Sequence, residues 1–161
     1  MQKRSPGFSL IEMLVAIALV VVLTTVAIPS FSSMLTNTRM AGELNTLLSA
    51  LNLARSEASK RGLRVSVCPM SGTACANTTD WTAGWQVTQP DTNTQINIAP
   101  ALAHGETLVS TVNTYPVFTA FGYTSFNGTL SLHDRNNTPA LYRCIVFSAG
   151  SWTAQQGASC P

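Results

Sequence analysis

GFSLIEMLVAIALVVVLTTVAIPSF, residues 7–31, is the stretch that decides the fold. From Met13 to Ile28 sixteen residues pass without a charge, and Phe8 to Ile28 makes 21 if Glu12 is included, about the length a helix needs to cross a bilayer. An ordinary secretory signal has its cleavage site behind the apolar core. Here Ala27-Ile28-Pro29 offers only a poor site there, whereas Gly7-Phe8 stands ahead of the core, directly behind the basic Lys3 and Arg4. Cleavage at Gly7-Phe8 would leave the apolar arm attached to the rest of the chain. Glu12 is then the anomaly, since a carboxylate in hydrocarbon costs several kcal/mol unless it is neutralised or paired.

The remainder is different in kind. Beyond Asn37 the chain is rich in Thr, Asn and Ser, and 161 residues suffice for one sizeable core but not for two large domains. The formal charge of +2 comes from Lys3 and Arg4; without the leader seven basic and seven acidic residues balance, so no net field points to nucleic acid or an acidic substrate. The composition describes a hydrophobic anchor carrying a soluble head.

Lys3, Arg4, Gly7, Phe8, the run Ser9-Leu10-Ile11-Glu12-Met13-Leu14 and then Pro29 resemble the leader and first helix of type IV prepilins and type II secretion pseudopilins. The resemblance implies a division into a cleaved leader (1–7), a membrane and filament-core helix (8–29) and a periplasmic or extracellular head (30–161). It implies a prepilin peptidase that cuts between Gly7 and Phe8, and methylation of the new amino terminus at Phe8, which retains its charge. It also implies that Glu12 pairs with the free amine of a neighbouring pilin, so that two groups costly to bury separately satisfy each other. The implied location is the bacterial inner membrane before assembly and a pilus or pseudopilus afterwards.

The periodicity predicts one helix from Phe8 to about Arg61, kinked at Pro29. An apolar stripe of Phe31, Met34, Leu35, Leu44, Leu47, Leu48, Leu51, Ala54 and Ala58 faces a core, and the stop falls at Lys60-Arg61-Gly62, with cations at the negative end of the dipole and a glycine cap. Beyond Gly62 the period shortens to two. Strands are expected at 63–68, 85–88, 95–98, 107–112, 117–121, 129–132 and 142–147, with Asn127-Gly128 as the strongest hairpin turn. The fold class is α+β: a pilin-like long N-terminal helix whose second half packs on an antiparallel β-sheet head. The segment from Ala54 to Pro69, with Asp80-Trp81 and Gly84-Trp85, is similar to the subgroup of secretion pseudopilin H and the minor pilins FimT and FimU. That subgroup implies a low-abundance subunit near a filament tip, with two sheets or one curled sheet on the helix.

Four cysteines allow three pairings. Cys68 with Cys75 would close a small loop and Cys144 with Cys160 would clip the tail to a strand, so reduction should release the tail first. Zinc is the alternative, but neither pair has the tight C-x2-C spacing. Trp81, Trp85 and Trp152 read as core or sheet edge before ligand platform. His104 and His133 fall in turns, and Asp80, Asp91, Glu106 and Asp134 lack paired spacing, so there is no case for an enzyme, a metal or a cofactor. The basic cluster Arg55, Lys60, Arg61 and Arg64 suits a solvated helix end, with a nucleic-acid or subunit contact as the sharper reading. FimT-like relatives are implied to bind DNA through arginines near the C-terminus. This chain has no positive charge after Arg143, so direct DNA capture by the tail lacks its electrostatic basis.

Overall fold

A computed structural model describes residues 7–158 and 160, without the side chains of residues 26 and 29. The basic leader and the Pro29 ring expected to kink the helix therefore lie outside the described residues. One helix, α1 (Leu10–Arg61), is followed by β1 (Val65–Ser71), β2 (Ala74–Cys75), β3 (Trp85–Gln89), β4 (Thr94–Ala99), β5 (Thr107–Ser110), β6 (Val117–Phe118), β7 (Gly128–His133), β8 (Arg143–Ser148) and β9 (Ser151–Gln156), with a 3-10 turn at Pro139–Leu141. The chain divides into two compact units, the first reaching Asn37 and the second beginning at Thr38.

In the first unit every helical side chain described up to Met34 is exposed. Its hydroxyls turn back onto the helix: Thr24 Oγ1 donates to the Val20 carbonyl at 2.9 Å and Thr25 Oγ1 to Val22 at 2.8 Å. Satisfied this way, they add little polar cost to an apolar surface. Phe31, Met34 and Leu35, expected in the core stripe, are 62 %, 66 % and 49 % exposed. They belong to this first unit, and the stripe that meets the head begins later, at Met40.

The second unit buries Met40, Leu44, Leu47, Leu51, Ala54 and Ala58, a four-three alternation that holds one helix face inward. The helix ends as Lys60-Arg61-Gly62 led us to expect. Gly62 takes φ 67°, and the Leu63 N–H reaches back to the Ala58 carbonyl at 3.3 Å, a Schellman closure.

Two antiparallel sheets pack beyond it. The first has the order β2-β1-β3-β4, with β6 also paired to β1; the second has the order β5-β7-β8-β9. Val65 to Pro69 and all of β3 are buried on both faces, so the half-buried alternation expected at 63–68 is wrong. Trp85 and Val87 supply the apolar core on one face. Gln86 and Thr88, on the other, are polar and satisfied: Gln95 Nε2 donates to Gln86 Oε1 at 2.9 Å, and Thr88 Oγ1 donates to the Thr94 carbonyl at 3.0 Å.

Asn127-Gly128 is not a hairpin turn. Gly128 opens β7, which pairs with β5 and β8, and a side chain there would collide with Val112. The two-residue hairpin lies instead at Ala149-Gly150, with φ 50° and 80°, and it creates β9, a strand that the sequence pattern did not suggest. Trp81 ties the sheets together. It is fully buried, its backbone N–H donates to the Leu108 carbonyl of β5 at 2.8 Å, and its backbone carbonyl accepts from Gly84 N–H at 3.0 Å.

Candidate functional site

The N-terminal end of α1 is built from Gly7, Phe8, Ser9 and Glu12, all exposed. Ser9 stands just before the helix, and its Oγ accepts the Glu12 N–H at 3.3 Å. Ser-x-x-Glu at this position is the capping-box spacing, a sequence signal that could have placed the helix start and was missed. Ser9 fixes where the helix starts and so where Glu12 projects, while Phe8 and Leu10 stand 79 % and 80 % exposed. This end holds one carboxylate on an apolar, unburied surface. Among the described residues one helix is long and apolar enough to cross a membrane, and this stretch begins it.

Three of the four cations at the other end of α1 are paired with carboxylates. Arg61 Nε donates to Glu57 Oε2 at 2.6 Å, Lys60 lies 3.9 Å from the same carboxylate, and Arg64 binds Asp91 through both guanidinium nitrogens that face it. The Arg61 hydrogen bond holds the Glu57 carboxyl below its ordinary range. Arg55 differs: it has no carboxylate partner among the described residues, and its guanidinium sits 5.5 Å from the centre of the Trp152 ring.

Cys68 is bonded to Cys75 and Cys144 to Cys160, with Cα separations of 5.4 and 5.6 Å. The second bond closes the tail against β8, where Gly157 N–H also donates to the Tyr142 carbonyl at 2.7 Å. Trp81 and Trp85 are buried, and Trp152 is half-buried with its ring against Phe118 and Phe147.

The remaining acids are structural. Asp134 accepts from Thr138 N–H at 2.6 Å, and Asp80 from Thr82 N–H at 2.8 Å. Glu106 is buried 3.9 Å from Arg39. Burial, reinforced by Glu106, raises the Glu43 carboxyl above its ordinary value. Among the described residues no three His, Cys, Asp or Glu side chains gather to hold a metal. A cleft of about 370 Å³ between α1 and the β3–β4 pair has no titratable residue in its lining.

His133 stacks on Tyr142 at 4.3 Å, and burial lowers its pKa from 6.5 against the opposing pull of Asp134. The folded state thus binds this proton less readily than the unfolded one. Stability is intact above pH 6.5 and is lost as the pH falls through the depressed folded value. We expect the thermal midpoint of the full chain in detergent to drop between pH 7 and 5.5, and His133→Gln to flatten that part of the profile. An equal slope in the variant would show that another group is responsible.

Residues 43–151 match the family described as type II transport protein GspH, and residues 2–28 match the prokaryotic N-terminal methylation motif. No curated protein matches the chain. Among solved structures, the type IV minor pilin FimU of Pseudomonas aeruginosa is similar in two crystal forms, each at 20 % identity. In space group P21 the TM-score is 0.61, covering 81 % of this chain and 96 % of that one; in P65 it is 0.58, covering 77 % and 96 %. At that identity the likeness establishes the fold, a long helix on an antiparallel head.

Proposed function

Since the chain belongs to the type II transport protein GspH family, we propose that it is a minor subunit of a type IV pilus. In this reading it primes assembly and joins tip subunits to the shaft. Prepilin peptidase cuts it between Gly7 and Phe8, Phe8 is N-methylated, and the apolar half of α1 holds it in the inner membrane with the head in the periplasm until it is drawn into the filament. Other minor and major pilins are its partners through that helix.

One observation carries the proposal: a single carboxylate, Glu12, stands at the capped start of a helix whose side chains, as far as described, are exposed up to Met34. An isolated head has no use for such a surface. A bundle of like helices covers it and supplies the amine that Glu12 lacks.

The family description favours a second reading, a pseudopilin of type II secretion. The clipped tail at Cys144–Cys160 leans toward the pilus, in keeping with the cysteine-bounded C-terminus of FimU- and FimT-like pilins. The DNA-capturing reading draws least support, because Lys60, Arg61 and Arg64 are engaged by carboxylates of the head itself.

Deletion in the native host separates the readings. Loss of surface pili and twitching with secretion intact is the expected result, accompanied by recovery of wild-type chain beginning at methylated Phe8. Loss of secretion with pili intact would transfer the protein to the secretion machine.

A further inference from the structure

The outer edge of β9 is open. Because two residues join β8 to β9, Ser148 and Ser151 flank the turn as a hydrogen-bonded pair, and alternation assigns the next such pairs to Val146 with Thr153 and Cys144 with Gln155. The N–H and C=O groups of Trp152 and Ala154 therefore point away from β8, and no described group meets them. The comparable edges are closed or irregular. β5 receives residues 79–81 along its outer side, with Ser110 N–H donating to the Thr79 carbonyl at 2.7 Å, and β4 pairs through a register shift at Val87/Thr88. From Ser151 to Gln156 there is no charge, proline or shift to discourage pairing.

An aromatic and cationic patch adjoins this edge. Phe121 is 94 % exposed, at a turn closed by Gly122 N–H to the Thr119 carbonyl at 2.8 Å. Tyr123 is about half exposed and lies against Gly150, where any side chain would strike its ring. Arg55, exposed and without a carboxylate partner among the described residues, covers Trp152 at the start of the strand.

We propose that the outer edge of β9 is a strand-addition site. It takes an extended, largely uncharged segment of another filament subunit, which lengthens the β5-β7-β8-β9 sheet, sets an apolar side chain against Phe121 and Tyr123 and brings a carboxylate to Arg55. The proposal rests on the filament-subunit reading. A second copy of this chain does not fit. Neither β4 nor β9 carries an acid, so a second copy pairing through either strand brings no carboxylate from that strand to Arg55.

Ala154→Pro in the full chain, expressed in the native host, deletes the outward N–H, which this chain's own sheet does not use. Ala154→Val adds similar bulk and keeps that donor. Surface filaments are expected to fall at least tenfold with the proline at unchanged levels of processed chain, and to stay at the wild-type level with the valine. A benzophenone side chain at Thr153 is expected to cross-link to an extended segment of a different filament subunit, mapped by mass spectrometry, and to lose that product in the proline variant. Wild-type assembly by Ala154→Pro, equal loss with Ala154→Val, or cross-links confined to a second copy would overturn the site. Filaments that survive deletion of the whole chain would instead overturn the subunit reading and, with it, the partner named here.

Discussion

Glu12→Gln is expected to lower incorporation into filaments by about 100-fold or more while the chain remains in the membrane. The size comes from the proposed pairing. Breaking a buried ion pair by removing one partner costs about 3–5 kcal/mol, because the other charge stays buried and uncompensated, and each 1.4 kcal/mol is a factor of ten. Glutamine suits this test for a local reason. Ser9 Oγ caps the Glu12 N–H, and a capping box accepts Gln as readily as Glu, so the start of the helix survives the change. A loss then reports the missing charge and not a frayed end. The measurement is the ratio of chain in sheared filaments to chain in the membrane, with Glu12→Asp as the charge-retaining comparison. Incorporation equal to wild type would remove Glu12 from the assembly role.

The parts of the fold legible in the sequence are those set by local periodicity. Met13 to Ile28 could hardly be other than an apolar helix, and the four-three spacing from Leu44 to Ala58 places the inward face correctly. Gly62 after two cations marks the stop because the cap is a property of three adjacent residues. What fails depends on distant neighbours. Phe31, Met34 and Leu35 look like core from their spacing, but they are largely exposed. β1 and β3 suggest half-exposure because Ser66, Gln86 and Thr88 alternate with apolar residues, and their burial becomes tolerable only through cross-strand hydrogen bonds.

Asn127-Gly128 carries the stronger turn signal, yet Gly128 serves close packing against Val112. Ala149-Gly150 turns the chain although alanine is a poor choice for φ 50°. The basic cluster is legible as four residues, but the pairing of Arg64 is not, since Asp91 lies 27 residues from it. The open edge of β9 is hidden twice, by the weak strand signal of Ser151 to Gln156 and by the covering of the β5 edge from residues 79–81.

Trp81→Ala should lower the thermal midpoint of the full chain in detergent by about 10 °C or more, and Trp81→Phe by far less. Large-to-alanine changes at a fully buried aromatic cost about 3–5 kcal/mol, through lost burial and the cavity left behind. For a unit of this size, each kcal/mol corresponds to a few degrees. Trp81 is fully buried, and the main chain beside it joins β5 of the second sheet through the Trp81–Leu108 and Ser110–Thr79 bonds. Its ring therefore holds down the segment that links the sheets, and the cavity cannot close without pulling that segment off β5. Phenylalanine keeps most of the ring, and the indole N–H that it gives up has no hydrogen-bond partner among the described residues, so no described polar contact is lost with it. Near-ultraviolet circular dichroism during heating tracks the packing directly. If alanine melts with the wild type, the sheets are held together without Trp81. If phenylalanine falls as far as alanine, the indole N–H has a partner, and the polar accounting at this position is wrong.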